Sequence, residues 1–94
     1  MLVEPLEPAA VKALILAALN TGTLRFSGHA LTELAKDRRT TVDAVNVLRG
    51  GVVQPGEFEN GSWRYGVFTV RMAVVVAFRS ETAVVVVTAW KVGQ

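Results

Sequence analysis

The chain has 94 residues, 51% of them hydrophobic, with ten basic and eight acidic side chains and a net charge of +2. That is enough for one domain with one modest core, and it is too apolar for a disordered chain. Cysteine is absent and histidine occurs once, which removes thiol chemistry, disulfides and multi-histidine or thiolate metal centres.

The absence of cysteine fits a cytoplasmic location. No apolar run reaches the ~20 residues of a membrane span. The opening MLVEPLEP is acidic and has no basic start, so it does not read as a secretory signal. Residues 1–7 are expected to form a flexible arm and residues 8–94 a single domain. Pro8 suits the first turn of a helix running to about Leu19, with Val11, Leu14, Ile15 and Leu19 on one stripe. Asn20-Thr21-Gly22 stops it. Thr23–Phe26 is a short strand candidate. Ser27 then caps a second helix whose Ala30, Leu31, Leu34 and Ala35 are expected to face inward. After the polar turn Lys36–Arg39, Thr40 or Thr41 caps a third helix, Thr40 having capping-box spacing with Asp43, and Val42, Val45 and Leu48 form its buried stripe. Gly50-Gly51 ends it.

From Val52 onward the pattern is β. Val52–Phe58 and Trp63–Val67 flank an Asn60-Gly61 hairpin turn, and the valine runs Met72–Phe78 and Ala83–Trp90 flank the turn signal Arg79–Thr82. The class is therefore α+β, with three helices on one face of a three- to four-stranded, mainly antiparallel sheet. Alternation puts Met72, Val74, Val76 and Phe78 on the face that meets the helices, together with Trp63 and Tyr65; Leu31, Leu34 and Val45 should be buried against them. The opposite face should hold Arg71, Ala73, Val75, Ala77 and Arg79, a floor of small residues between arginines. A two-residue turn at Asn60-Gly61 places Glu57 opposite Arg64. A turn centred on Phe68-Thr69 places Arg64 beside Ala73 and Gly66 beside Arg71. Closing the last hairpin at Arg79–Thr82 sets Arg71 across from Trp90, a cation–π pair, and Ala73 across from Thr88. Glu57, Arg64, Arg71, Thr88 and Trp90 would then share the open face.

Seven of the ten basic residues are arginine, whose planar donor fork suits phosphate or carboxylate. His29, in the first turn of the second helix, is the one imidazole available for acid/base duty, at a position that also attracts phosphate. A surface histidine with no role is equally ordinary there. No phosphate loop or Ser-His-Asp order is present.

The segments FSGHAL, TTVDAVNVLRGG, WRYGVFTVRMAVVVAF and VVVVTAWK resemble an uncharacterised bacterial domain family with a His-Ala pair near the second helix and a Val-Thr pair near the C-terminus. That family is grouped with the RelE/MqsR/BrnT-like toxins of type II toxin–antitoxin systems, in the barnase–EndoU–colicin–RelE fold. The resemblance covers Ala10 to Lys91. It implies a metal-independent endoribonuclease (an mRNA interferase) that attacks the scissile phosphate with the RNA 2′-hydroxyl and is held inactive by an antitoxin. The family's histidine falls on His29, its basic strand residues on Arg64 and Arg71, and its terminal pair on Val87-Thr88; where relatives carry a further basic residue this chain has Gly66.

On that reading the catalytic candidates are His29 for acid/base duty and Arg64 and Arg71 for the phosphate, with Lys91 or Tyr65 as outside candidates, Tyr65 the weakest because the register buries it. Arg38, Arg39, Arg79, Thr88 and Trp90 are candidates for substrate binding, and no metal or cofactor is implied. The partners implied are RNA, a cognate antitoxin and a second copy of the chain. The alternative is a non-catalytic module that binds RNA or an acidic protein segment on the same face.

Overall fold

Two hydroxyls set the helical half of the chain. Ser27 Oγ accepts a hydrogen bond from the Ala30 amide at 3.0 Å. Thr40 Oγ1 accepts one from the Asp43 amide, while the Asp43 carboxylate accepts the Thr40 amide at 2.7 Å, a complete capping box. Pro8 opens the remaining helix, where its missing N–H costs nothing.

The computed structural model describes residues 2–93. In chain order the elements are α1 (Pro8–Thr21), β1 (Thr23–Phe26), α2 (Gly28–Lys36), α3 (Thr41–Gly50), β2 (Val52–Val53), β3 (Glu57–Glu59), β4 (Ser62–Phe68), β5 (Met72–Ser80) and β6 (Ala83–Lys91). The α+β class holds, with three helices on one face, but the sheet has six strands rather than three or four, and it is mixed. The order is β1-β6-β5-β4-β2, with β3 also on β4. β1 runs parallel to β6, a non-local pairing that carries no turn signal. The expected strand from Val52 to Phe58 is broken into β2 and β3 at Gln54–Gly56, where Pro55 has no amide to give the ladder.

The core lies between this sheet and the helices. Val11, Ile15 and Ala18 of α1, Ala30 and Leu34 of α2, and Ala44, Val47 and Leu48 of α3 meet Tyr65, Val67, Met72, Val74, Val76, Val84, Val86 and Ala89. Phe78 is half-buried against this cluster, edge-on to Tyr65 at 5.7 Å. Two helices are turned from their expected stripes. Leu31 is 47% exposed and Ala35 is also exposed, since only the Ala30/Leu34 side of α2 faces β6. Val42 is 65% exposed and Val45 half-buried, because α3 packs through Ala44, Val47 and Leu48.

The Asn60-Gly61 turn forms as expected, with φ of 49° and 82° and Glu57 opposite Arg64. The next two hairpins differ. The turn falls at Val70-Arg71, so Gly66 lies beside Val75 rather than Arg71, and Phe68 beside Ala73. Ala73 pairs with Trp90, and Val75 with Thr88. The β4–β5 displacement is even, and so is the β5–β6 displacement from Met72 to Val75, so the residues paired there keep their expected faces. From Val76 onward the β5–β6 displacement is odd, and Val84 and Val86 lie on the core side rather than with Thr88 and Trp90. The Arg71–Trp90 pair does not form; Trp90 instead meets Phe68 edge-on at 5.9 Å.

A bulge at Val87 completes the layout. Val75 pairs with Thr88 but Val76 with Val86, leaving Val87 without a partner. It lets Val84 and Val86 join Ala89 in the core while Thr88 and Trp90 remain on the other face. Ser27 pins the bulge: its hydroxyl donates to the Val87 carbonyl at 2.8 Å, and its amide to the Val86 carbonyl at 3.0 Å.

Candidate functional site

The sheet face away from the helices is built in cross-strand rows. Trp90, Ala73 and Phe68 form one row. Their two rings meet above the alanine, which is why Ala73 is fully buried on a face that no helix covers. Thr88, Val75 and Gly66 form the next. Gly66 has a local reason: a Cβ there would stand 2.7 Å from the Phe68 ring. Arg64 stands one row further on, opposite Glu57.

These rows enclose a shallow basin of about 700 Å³ lined by Gln54–Glu57, Glu59, Arg64, Gly66, Phe68, Val75, Thr88 and Trp90. Arg64 is the basin's cation. Its side chain is 23% exposed and donates through Nη1 to Glu59 at 3.4 Å. Its Nε is buried with no hydrogen-bond partner. The guanidinium is thus paired with the Glu59 carboxylate and lies across the strands from Glu57, with a donor still free, a pairing of cation and potential base.

Arg25 belongs to this face too, although nothing in the sequence reading selected it. It pairs with Val85, which pairs with Ala77, the residue one step along from the Tyr65–Val76 pair and hence level with Arg64. Arg25 and Arg64 therefore end one row, about 14 Å apart across three strand spacings of ~4.8 Å, with only Val85 and Ala77 between. Recognising Arg25 required knowing that TLRF joins β6 in parallel.

The other expected site residues separate. Arg71 sits at the β4–β5 turn, where it meets Arg39 and Lys91 around a second cavity of about 390 Å³. Arg38 is exposed in the turn after α2, at φ 55°, and Arg79 is exposed at the far end of β5. Neither lines these two cavities. Tyr65 is buried on the core side, where its hydroxyl donates to Glu4 at 2.8 Å and accepts the Leu6 amide at 3.0 Å. His29 is exposed in the first turn of α2 and also lines neither cavity. Its neighbour Glu33 is held below the ordinary carboxylate range, first by the hydrogen bond from Lys36 and least by the His29 charge. Of the expected set, the basin brings together Arg64, Thr88 and Trp90; Arg39, Arg71 and Lys91 form a separate group.

The chain matches no family model, and no curated protein or solved structure is significantly similar to it.

Proposed function

We propose that the uncovered sheet face binds single-stranded RNA and that the protein is a cytoplasmic, RelE-like, metal-independent endoribonuclease of the toxin type. One observation carries this reading: Arg64, with a free buried donor, lies beside Glu57 and Glu59 at the edge of a small-residue floor. In this cleavage the 2′-oxygen bonds to phosphorus as the P–O5′ bond breaks. That needs a base for the 2′-hydroxyl proton, a proton from the resulting carboxylic acid or from water for the departing 5′-oxygen, and a cation for the charge developing on the phosphate. Arg64 supplies the cation. Glu57 or Glu59 takes the base's role in place of His29, because a base must lie within hydrogen-bonding reach of its proton. Trp90, exposed at the rim, offers a base-stacking surface, and Arg25 offers a second phosphate contact across the floor.

The test is incubation of the partner-free protein with a single-stranded RNA and with the same oligonucleotide made of 2′-deoxy residues. The reading expects cleavage of the first only, products ending in a 2′,3′-cyclic phosphate, and no effect of a chelator. The absence of an imidazole from the basin favours one second reading, a non-catalytic RNA-binding module on the same face. That reading expects both oligonucleotides to bind intact.

A further inference from the structure

The Arg39–Arg71–Lys91 group borders a surface of different character from the basin. Between α3 and the β4–β5 turn lies an apolar cleft of about 280 Å³, lined by Val47, Met72 and Val70 together with Arg39 and Arg71. Val70 is 87% exposed at the tip of the turn, and Val42, in the first turn of α3, is 65% exposed. The adjoining cavity adds Lys91 to the two arginines. None of the three cations makes an ion pair among the described residues, and the half-buried Arg39 has an Nε that is buried with no hydrogen-bond partner. Asp43 is the one acid on the cleft's lining, and its carboxylate is held by Thr40 in the α3 capping box.

We infer that this cleft is a docking site for an acidic segment of a partner protein, in which an apolar side chain seats against Val47, Met72 and Val70 while flanking carboxylates meet Arg39, Arg71 and Lys91. Charge complementarity identifies the occupant as an anion, and the valines identify which kind. A nucleic acid strand gains from cations and aromatic platforms, and no aromatic side chain lines this cleft or the adjoining cavity. The exposed valines reward an aliphatic or aromatic side chain of a peptide, and the guanidinium forks match carboxylates two at a time. The inference does not depend on ribonuclease activity, because the cleft and the basin share no residue.

The test is a titration of the isotopically labelled full chain, followed by backbone amide shifts. Three probes are compared: a peptide alternating leucine with glutamate and aspartate, an all-glutamate peptide of equal charge, and an oligouridylate. The leucine–acid peptide is expected to shift Val42, Val47, Val70 and Arg71. Its affinity should fall about tenfold or more in Val70→Ser and again in Arg71→Glu, both at an exposed turn where the unchanged amide spectrum elsewhere reports an intact fold. Equal binding of the all-glutamate peptide would reduce the site to unspecific charge and overturn the inference. So would the oligouridylate shifting these residues more strongly than the peptide, or the absence of peptide-induced shifts at about millimolar peptide, where even weak contacts register.

Discussion

Tyr65 ties the core to the start of the chain. Its ring is fully buried, and its hydroxyl bridges Glu4 and the Leu6 amide. Burial, reinforced by the Glu4 carboxylate, pushes the phenol up to about 12. Its folded value thus lies above the unfolded value of about 10, so its contribution is complete below about pH 10 and is lost as pH rises through about 12. Urea melts across that window should show the parental protein losing stability, whereas Tyr65→Phe, about 1–2 kcal/mol weaker at neutral pH, should lose less. Identical alkaline slopes would mean that another group governs the loss. Gly66 is a second residue with a single physical reason. Gly66→Ala should push the Phe68 ring out of place and disturb its contact with Trp90, changing Trp90 fluorescence in a Trp63→Phe background. An unchanged spectrum would show that the ring pair tolerates the methyl group.

At the scale of elements, Ser27 joins α2 to the β6 bulge by capping the helix and donating to Val87. Ser27→Ala removes both interactions and should cost about 1–3 kcal/mol in a thermal or denaturant melt. A loss within 0.5 kcal/mol, the range of neutral surface changes, would mean that the bulge is held by other contacts. The helix faces make a matched pair of expectations: Leu48→Ala should cost about 2–5 kcal/mol through lost burial and a cavity, and Val42→Ala less than about 0.5 kcal/mol. The reverse order would show α3 rotated back onto its expected stripe.

These same elements show what was legible in the sequence. Alternation along Met72–Phe78 identified the buried face of β5, because a valine run bounded by arginines admits one parity. The hairpin partners were less legible, since any even displacement preserves that parity and burial cannot choose among displacements. The helices were ambiguous because α2 offers two small apolar stripes, Ala30/Leu34 and Leu31/Ala35, and only contact with β6 selects one. Arg64, Thr88 and Trp90 were found as a group by face alone. Arg25 was not, because its place depends on a parallel pairing between segments far apart in sequence.

The whole molecule separates its charges by place. Arg25 and Arg64 span the open face beside Glu57 and Glu59, and Arg39, Arg71 and Lys91 gather at the end of the sheet. The proposed RNA-binding face and the proposed docking cleft therefore share no residue. No helix among the described residues is long and apolar enough to cross a membrane. The measurement that most directly tests the central claim is the initial rate of cleavage of a single-stranded RNA by partner-free protein, compared among the parental chain, Arg64→Lys, a Glu57→Gln/Glu59→Gln double variant, and His29→Ala. Loss of the electrostatic donor is expected to cost about 10²–10³-fold, even with lysine, because an ammonium does not reproduce the guanidinium fork. Loss of the base is expected to cost about 10²–10⁴-fold, and His29→Ala is expected to cleave at the parental rate. A parental protein that leaves RNA intact, or an Arg64→Lys variant that cleaves as fast as the parent while His29→Ala is inactive, would contradict the account.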